Sequence, residues 1–586
     1  MAYEAPVRDM AFALESMAQI ARVEENGAFE NYDADLIGPI LEEAGKLARD
    51  VLAPLNQQGD KVGATLGPDG VTAAPGFKEA YAAYRDGGWI GLGFPEEWGG
   101  QGLPKGLALA VMEIVNGANM AFGLCPMLSL GAIEALLAHG SDEQKQMYLP
   151  NLVSGTWTGT MNLTEPQAGS DVGALKTKAV PNGDGSFAIS GQKIYITWGD
   201  HDVAENIVHL VLARLPDAPE GSRGVSLFIA PKFLVNEDGS LGARNSVKCI
   251  GLEEKLGIHA SPTCVMEFDG ATGWLVGAPN KGLAAMFTMM NSARLNVGLE
   301  GVGIGEAAYQ TALEYARDRK QGKAQGVEGH APIVYHPDIR RTLVTMRART
   351  MAARAICYAC GVAADLAEHG PEAGRDAAKL REDLLTPVAK AWSTDMGVEV
   401  ASMGVQVHGG MGFMNETLAA QLYKDARIAP IYEGTNGIQA MDLVGRKLSM
   451  GDGIAMRAML EDVAATAREA RDTNNPEFVA IADHLDAGAA ALEEATGWMI
   501  EAMKDNRSVA LGGATPYLAL AGDVMGGHYL TRGALSARGD DAHTHMIALA
   551  AFFAETDLAE APARVPGIIG GGEVLARLGD TVLGDV

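Results

Sequence analysis

Along the first part of the chain, apolar residues recur every three or four positions, which is the spacing of one face of an amphipathic helix. Residues 1–157 are therefore predicted to be mainly helical, with the clearest apolar stripe at Leu36, Ile40, Leu41, Ala44, Leu47, Ala48 and Val51. Residues 87–100 break the pattern because they are dense in glycine and contain Pro95, which a stable helix does not tolerate. This segment is predicted to be a loop, and helical spacing returns over 107–115 and 128–138.

The pattern changes near residue 158, where short segments rich in β-branched and aromatic residues lie between turn-forming residues. Such segments predict strands. They lie at 187–190, 193–197, 207–213, 225–230 and 263–268. The turn signal Asn182-Gly183-Asp184-Gly185 comes just before the first of them. Residues 158–280 are therefore predicted to form a β domain.

Helical spacing resumes at about residue 281 and continues through long runs rich in Ala, Met and Leu. We predict an α domain over 281–450 and a further helical domain over 451–586. Together with the N-terminal α domain (1–157) and the β domain (158–280), this makes four domains. A chain of 586 residues has the length for such a division. The predicted fold class is mainly α with a central β domain.

The charge balance restricts the partners of the protein. Lys and Arg number 46 and Asp and Glu number 74, which gives a formal net charge of −28. A surface this acidic repels phosphate backbones and anionic lipid headgroups, so we expect binding neither to nucleic acid nor to membranes. A local basic pocket for one anionic ligand remains compatible with this charge. The 47% hydrophobic and 20% charged composition excludes a mainly disordered chain.

The compartment is inferred from the cysteines and from the N-terminal sequence. Five cysteines without a disulfide-framework spacing indicate a reducing compartment. Arg8, Asp9 and Glu15 interrupt the apolar residues at the N-terminus, so no signal or transit peptide is expected. No run of about 18 uninterrupted apolar residues predicts a transmembrane helix. A cytoplasmic location is therefore expected.

Two motifs are better explained by packing than by chemistry. Gly301-Val302-Gly303-Ile304-Gly305 has the spacing that begins a dinucleotide-binding loop, but its flanks have helical spacing and Glu306 replaces the third glycine. Close helix packing is the favoured interpretation. Cys357 and Cys360 lie on a helical segment without a second pair of zinc ligands, which favours buried thiols. The twelve histidines show no metal-ligand spacing, and we predict no metal site.

Two segments of the β domain offer groups that suit a flat, phosphorylated ligand. Residues 163–171 combine the hydroxyls of Thr164 and Ser170 with small residues whose N–H groups suit a phosphate. An ordinary turn is the alternative. Strand alternation over 191–199 puts the Tyr195 ring beside the Thr197 hydroxyl, which suits a flat heterocycle. The alternative there is an ordinary half-buried strand.

A third pair of segments, 406–413 and 431–439, is rich in glycine and surrounds one acidic residue. Glu433 lies between the apolar pair Ile431-Tyr432 and the small residues that follow it. A carboxylate held against apolar walls has a raised pKa, as a base acting on a weak carbon acid requires. The alternative is an ordinary acidic residue of a surface loop.

Taken together and in this order, these segments resemble the acyl-CoA dehydrogenase family of flavoenzymes. The resemblance extends over about residues 35–448 and is carried by the segments 95–100, 164–171, 191–197, 317–320, 406–413 and 432–435. It implies an α domain, a β domain and a four-helix α domain. It also implies FAD bound between the last two.

The resemblance implies three sets of ligand contacts. The β domain contacts FAD through Leu163, Thr164, Gly169, Ser170, Tyr195 and Thr197. The second α domain contacts FAD through Arg319, Gln406, Gly410, Thr435 and Gly437. The first three of this second set match positions that reach the adenosine half of FAD in a neighbouring subunit. The acyl-CoA is contacted by Ser170, Asn291, Arg294 and Gly434.

Glu433 matches the catalytic base of the family. Some branches place the base just before the arginine that corresponds to Arg294, but that position here is Ala293, which accepts no proton. The implied reaction is removal of the α-proton of an acyl-CoA thioester by Glu433 while a β-hydride passes to flavin N5. The product is the trans-2-enoyl-CoA, and the implied electron acceptor is an electron-transfer flavoprotein.

Two departures from the minimal family pattern bear on the function. Gln321-Gly322 lacks the phenylalanine usual at this point, which leaves the local FAD and subunit contacts open. The 451–586 domain resembles the extension of larger members, which form dimers. Within these, the chain length and the segments 162–167 and 432–439 are most similar to bacterial 3-methylmercaptopropionyl-CoA dehydrogenases of dimethylsulfoniopropionate degradation. A straight-chain dehydrogenase of β-oxidation, an acyl-CoA oxidase and a non-catalytic binding protein are the alternatives.

Overall fold

The structure is a computed structural model that describes residues 3–30, 32–578 and 582. It confirms the predicted fold class, because helices enclose one central sheet. The N-terminal helices are α1 (Val7–Phe12), α2 (Ile37–Leu47), α3 (Ala53–Val62), α4 (Phe77–Asp86), α5 (Lys105–His139) and α6 (Asp142–Val153). Residues 87–100 form turns and short 3₁₀ segments, which confirms the predicted loop. The hairpin of β1 (Thr65–Gly67) and β2 (Gly70–Thr72) was not predicted, because its strands are short and partly exposed.

The central sheet has seven strands, five of which pair in a closed ring. The strands are β3 (Trp157–Asn162), β4 (Lys178–Pro181), β5 (Phe187–Thr197), β6 (Asn206–Arg214), β7 (Val225–Pro231), β10 (Val247–Leu252) and β11 (Thr263–Val276). The ring runs β5–β4–β6–β7–β11 and returns to β5, with β3 added beside β6 and β10 beside β11. A separate hairpin joins β8 (Phe233–Val235) to β9 (Leu241–Arg244).

The predicted strands are present, with two differences. The segments 187–190 and 193–197 form one continuous strand, β5, rather than two. Strands β3, β4, β8, β9 and β10 were not predicted. In β3 the apolar and polar residues alternate, but Thr158, Thr160 and Asn162 are as buried as the apolar residues between them. Strand β3 pairs with β6 in parallel and ends at Asn162. The chain then passes directly into the segment that begins at Leu163.

The second α domain consists of long helices packed side by side, followed by two short ones. They are α7 (Gly282–Asp318), α8 (Pro337–His369), α9 (Glu372–His408), α10 (Leu418–Ala426) and α11 (Asn436–Asp442). The glycines at 301–305 lie inside α7, and a Cβ added at Gly301 would lie 2.3 Å from the Ser393 carbonyl oxygen. Close helix packing is therefore confirmed as their role. Cys357 and Cys360 are buried, as predicted.

The C-terminal extension packs onto this bundle. Its helices are α12 (Ile454–Asp472), α13 (Pro476–Asp505), α14 (Arg507–Gly512), α15 (Ala514–Ser536), α16 (His545–Thr556) and α17 (Ala561–Leu578). At the junction, a Cβ on Gly522 would lie 2.2 Å from the indole ring of Trp392, so only glycine fits there. The Trp392 N–H donates to the Asp523 carboxylate at 3.0 Å, and Arg564 pairs with the same carboxylate at 2.9 Å.

Two helices, α5 and α8, are long and apolar enough to cross a membrane, and most of each is buried inside the protein. Both contribute to the main hydrophobic core, where α5 packs against α7 and α8, and α8 also packs against α7 and α9. The apolar residues of both helices are therefore explained by their burial in the protein core.

Candidate active site

The loop between α10 and α11 carries Glu433 in an unusual backbone conformation. Its φ is +55°, in the left-handed region that residues other than glycine rarely adopt. The Asn436 N–H donates to the Pro430 carbonyl at 2.9 Å and closes the loop. The Gln439 side chain donates to the Glu433 carbonyl at 3.3 Å. The loop conformation is thus set by contacts on both sides of Glu433.

Arg294 on α7 links the predicted acyl-CoA residues to this loop. Its Nε donates to the Glu433 carbonyl at 3.4 Å, and a second guanidinium nitrogen contacts Asn291 Oδ1 at 3.4 Å. Asp442 on α11 lies 3.7 Å from the same guanidinium and balances its charge. The structure therefore brings Asn291, Arg294, Glu433 and the adjoining Gly434 together, although they are distant in sequence.

The surroundings of the Glu433 carboxyl raise its proton affinity. Burial raises its pKa to about 7, although the positive charges of Arg294 and Lys390 oppose this shift. A carboxylate with a pKa near neutrality is ionised in enough molecules to accept a proton and basic enough to take one from carbon. The loop thus provides a base matched to a weak carbon acid.

Two residues of this region were not predicted from the sequence. Lys390 of α9 and Glu300 of α7 are fully buried close to Glu433. Lys390 donates to the Gly434 carbonyl at 3.0 Å, and Glu300 accepts from the Tyr432 hydroxyl. The available signal was an ionisable residue within an otherwise apolar helical segment, such as Ala389-Lys390-Ala391.

The predicted flavin loop follows β3 and is bound to β5. The Ile194 N–H donates to the Thr164 carbonyl at 2.9 Å. Buried Lys193 donates to the Leu163 carbonyl at 2.9 Å and to Glu165 at 2.8 Å. Burial alone would raise the pKa of Glu165, but the charge and hydrogen bond of Lys193 lower it to about 2. An internal ion pair therefore fixes Leu163 and Thr164 against the strand.

Tyr195 and Gly169 leave open surface beside this loop. The Tyr195 side chain is 60% exposed, and its φ of +60° coincides with a bulge in the pairing of β5 with β11. Thr197 is half-buried two residues later. Gly169 and Ser170 are exposed, and a Cβ added at Gly169 would meet nothing within 4 Å. An open aromatic face beside small residues and hydroxyls fits the ring and pyrophosphate of FAD.

The remaining predicted cofactor residues lie on the second α domain. Arg319, Gln406 and Gly410 are exposed at or just beyond the ends of α7 and α9. Thr435 is exposed and its hydroxyl accepts a hydrogen bond from the Ile438 N–H at 3.2 Å, which caps α11. Gly437 is exposed in the first turn of that helix. These five residues can therefore contact a bound flavin only from the second α domain, and not from the β domain.

A cavity of about 680 Å³ lies between α5, α7, α8 and α9. Asn291 lines this cavity and contacts Arg294. Because Arg294 also binds the Glu433 carbonyl, it connects the cavity wall to the Glu433 loop. The Ser292 Oγ and the Asn296 Oδ1 also belong to lining residues, and neither atom has a hydrogen-bond partner among the described residues. The lining mixes apolar side chains with ionisable ones such as Lys105 and Glu134 and does not include Glu433, so the cavity adjoins the Glu433 loop through Asn291 and Arg294.

Family models match almost the whole chain. The acyl-CoA dehydrogenase N-terminal domain matches residues 40–156, the middle domain 160–271 and the C-terminal domain 280–448. The model described as acetyl-CoA dehydrogenase C-terminal like matches residues 459–578. The C-terminal extension is therefore itself a domain with a matching family model.

Individual relatives agree with the family models. The chain is 48% identical to the 3-methylmercaptopropionyl-CoA dehydrogenase of Ruegeria pomeroyi, over 98% of this chain and 99% of the relative. It is 35% identical to the broad-specificity linear acyl-CoA dehydrogenase FadE5 of Mycobacterium tuberculosis, over 95% of each. The solved structure of the Bacillus anthracis acyl-CoA dehydrogenase complexed with FAD covers 98% of this chain and is itself 94% covered, with a TM-score of 0.75 and 21% identity. The chain belongs to the acyl-CoA dehydrogenase family and is an FAD-dependent enzyme that acts on acyl-CoA thioesters.

Proposed function

We propose that this enzyme converts 3-methylmercaptopropionyl-CoA to its trans-2-enoyl-CoA, with Glu433 as the base. The observation that carries the substrate is the 48% identity to a dehydrogenase of that name over nearly the full length of both chains. The agreement includes the C-terminal extension, which the minimal form of the family lacks.

The proposed mechanism assigns two tasks to the Glu433 residue. FAD supplies the oxidising chemistry by accepting the hydride from the β-carbon. The Glu433 carboxylate takes the α-proton, and its raised pKa supports this role. The Glu433 N–H donates to no acceptor among the described residues and is free to bind the thioester oxygen, which makes the α-proton more acidic.

Electron transfer and assembly complete the proposal. We infer that an electron-transfer flavoprotein accepts the electrons from the reduced enzyme and that the enzyme is a homodimer. A solved structure titled for the electron-transferring flavoprotein of Acidaminococcus fermentans contains a similar chain, with 25% identity and a TM-score of 0.58 over 70% of this chain and 96% of that one. The exposed positions of Arg319, Gln406 and Gly410 support a contact with the FAD of a second subunit.

The test is anaerobic bleaching of the flavin by a panel of acyl-CoAs. The panel comprises butyryl-, octanoyl-, palmitoyl- and 3-methylmercaptopropionyl-CoA. Fastest bleaching by the methylmercapto substrate supports the proposal. A preference for palmitoyl-CoA would instead favour a straight-chain enzyme, which the 35% identity to a broad-specificity linear acyl-CoA dehydrogenase makes the second candidate.

The role of Glu433 is tested with Glu433→Gln. The amide is close in size to the carboxyl but accepts no proton, so we expect bound FAD and a loss of bleaching of at least about 100-fold. The FAD content of the purified variant is the control. Bleaching at the wild-type rate would contradict the assignment of Glu433 as the base.

A further inference from the structure

Two buried ionisable residues, one on each of two helices, contact the Glu433 loop from the protein interior. Glu300 of α7 and Lys390 of α9 are both 0% exposed. The proposed reaction assigns no role to either. Burial of a charged group is costly unless other groups bind it, so their presence needs a structural explanation.

Glu300 contacts the residue that precedes Glu433. The Tyr432 hydroxyl donates a hydrogen bond to the Glu300 Oε2. The Glu300 Oε1 has no hydrogen-bond partner among the described residues. The aromatic ring of Tyr432 thus connects the loop to α7 at a position directly before the base.

Lys390 contacts the residue that follows Glu433. Its Nζ donates to the Gly434 carbonyl at 3.0 Å and to Asn436 Oδ1 at 2.7 Å. The Asn436 amide in turn donates to Asp395 at 2.8 Å. The loop is therefore attached to α9 directly after the base.

The backbone conformation of Glu433 explains why the contacts of Glu300 with Tyr432 and of Lys390 with Gly434 are needed. A non-glycine residue with a φ of +55° occupies a disfavoured backbone region. Such strain persists only where the surroundings determine the conformation strongly. The two buried side chains bind the residues on either side of Glu433, and neither is hydrogen-bonded to its carboxyl.

We propose that Glu300 and Lys390 are positioning residues that fix Tyr432 and Gly434, and with them the reactive conformation of Glu433. We further infer that Glu300 couples its own ionisation to that of Glu433. Both inferences rest on the proposed role of Glu433 as the base. No motif of the sequence points to either residue.

The electrostatics of the two carboxyls support this coupling. Burial raises the pKa of Glu300 to about 8, while the hydrogen bond from Tyr432 and the charge of Lys390 oppose the shift. The pKa of Glu433 is about 7. Two interacting carboxyls with overlapping ionisation titrate as a pair. The charged and titratable groups that face this pair from α7, α9 and the loop are Arg294, Lys390 and Tyr432, and Asp395 in turn acts on Lys390.

Two substitutions separate the hydrogen bond from the charge. Glu300→Gln keeps an acceptor for the Tyr432 hydroxyl but does not ionise, whereas Glu300→Leu removes both functions. The FAD-loaded enzymes are compared by the rate of anaerobic flavin reduction, with the 3-methylmercaptopropionyl thioester, from about pH 6 to about pH 9. Hydrogen–deuterium exchange of residues 431–436 without substrate reports the loop itself.

The two variants have different expected results. With Glu300→Gln, we expect a maximal rate within about threefold of wild type and a pH profile that keeps the lower ionisation in place and loses the upper one, because Glu300 has the higher pKa and is still uncharged while Glu433 ionises. With Glu300→Leu, we expect the maximal rate of flavin reduction to fall about 10- to 100-fold with little change in the thioester concentration that gives half of it, because the base is misplaced. Exchange over 431–436 becomes faster in this variant.

A matched control lies on the same helix. Glu306→Gln removes a buried carboxylate that binds Arg354 at 2.9 Å rather than the loop, so the pH profile and the loop exchange should match wild type. Wild-type rate and exchange in Glu300→Leu would overturn the positioning role. An unchanged pH profile in Glu300→Gln would overturn the coupling. Failure of the wild-type enzyme to react with any acyl-CoA would count against the proposed function, while loop exchange would still test the positioning role.

Discussion

Two buried lysine–glutamate pairs support the two halves of the site, and they differ in how the charges meet. In the β domain, Lys193 and Glu165 are in direct contact at 2.8 Å. Glu165 also accepts the N–H groups of Lys176 and Thr177 at 2.6 and 3.0 Å. Its pKa is lowered to about 2, so this carboxylate stays ionised at any physiological pH.

In the helical bundle, no direct ion pair joins Glu300 and Lys390, which are both among the described residues. Each binds the Glu433 loop instead. Burial raises the pKa of Glu300 to about 8 and lowers that of Lys390 to about 8. Burial lowers the pKa of Lys193 to about 8 as well, so the two pairs differ at their glutamates. Direct contact keeps Glu165 ionised, whereas Glu300, without such a contact, titrates near neutral pH.

The largest effect is expected where the charges are in contact. Lys193→Met leaves the Glu165 carboxylate buried without its cation, which should lower the free energy of unfolding by about 3–5 kcal/mol. Urea unfolding measures this loss. The control is Lys178→Met at an exposed position of β4, which should change the free energy by less than about 0.5 kcal/mol. Equal losses of unfolding free energy in Lys193→Met and Lys178→Met would show that the buried ion pair contributes no more than an exposed lysine.

A smaller loss is expected in the bundle. Lys390→Met removes the donor to the Gly434 carbonyl and to Asn436, at a cost of about 1–3 kcal/mol. The loss is smaller than for Lys193 because no carboxylate in direct contact loses its partner. Lys379→Met on the same helix is the control, because its side chain is 52% exposed. A loss in Lys390→Met as large as in Lys193→Met would show that the two pairs do not differ.

The two glutamates predict opposite responses of stability to pH. Glu165 has a folded pKa below its usual value of 4.5, so its stabilisation is present above about pH 4.5 and is lost as the pH falls towards 2. Glu300 has a folded pKa of about 8, so the unfolded chain releases this proton first and stability falls as the pH rises from about 4.5 to 8.

Glu300→Gln tests this second response. Its stability relative to wild type should be greater at about pH 8.5 than at about pH 5, by about 3–4 kcal/mol, because the amide has no proton to lose and each pKa unit corresponds to about 1.4 kcal/mol. Urea unfolding at the two pH values measures the difference. The same relative stability at both would show that Glu300 does not titrate between them.

The smallest effect is expected at the exposed aromatic ring of the β domain. Tyr195→Phe keeps the flat face and should change the free energy of unfolding by less than about 0.5 kcal/mol. FAD retention during gel filtration should also match wild type, whereas Tyr195→Ala should release FAD. Retention of FAD by Tyr195→Ala would exclude the ring as a flavin contact.

The order of helical and β segments and the Glu433 loop could be predicted from the sequence, because periodicity and local motifs are properties of neighbouring residues. The burial of strand β3 could not, because its polar residues Thr158 and Thr160 are buried through hydrogen bonds to His201 and His209, which are distant in sequence. Glu300 and Lys390 could not either. Their partners, Tyr432 and Gly434, lie 132 and 44 positions away, and only the folded chain brings them together.

The contact between Trp392 and Gly522 has a consequence for the order in which the protein is made. Trp392 leaves the ribosome well before Asp523 and Arg564, the residues that bind its indole and balance the charge at the junction. Until α15 and α17 have been synthesised, α9 therefore exposes an aromatic surface. A nascent chain at this stage needs protection from aggregation, and the bundle is completed only when the final helices arrive.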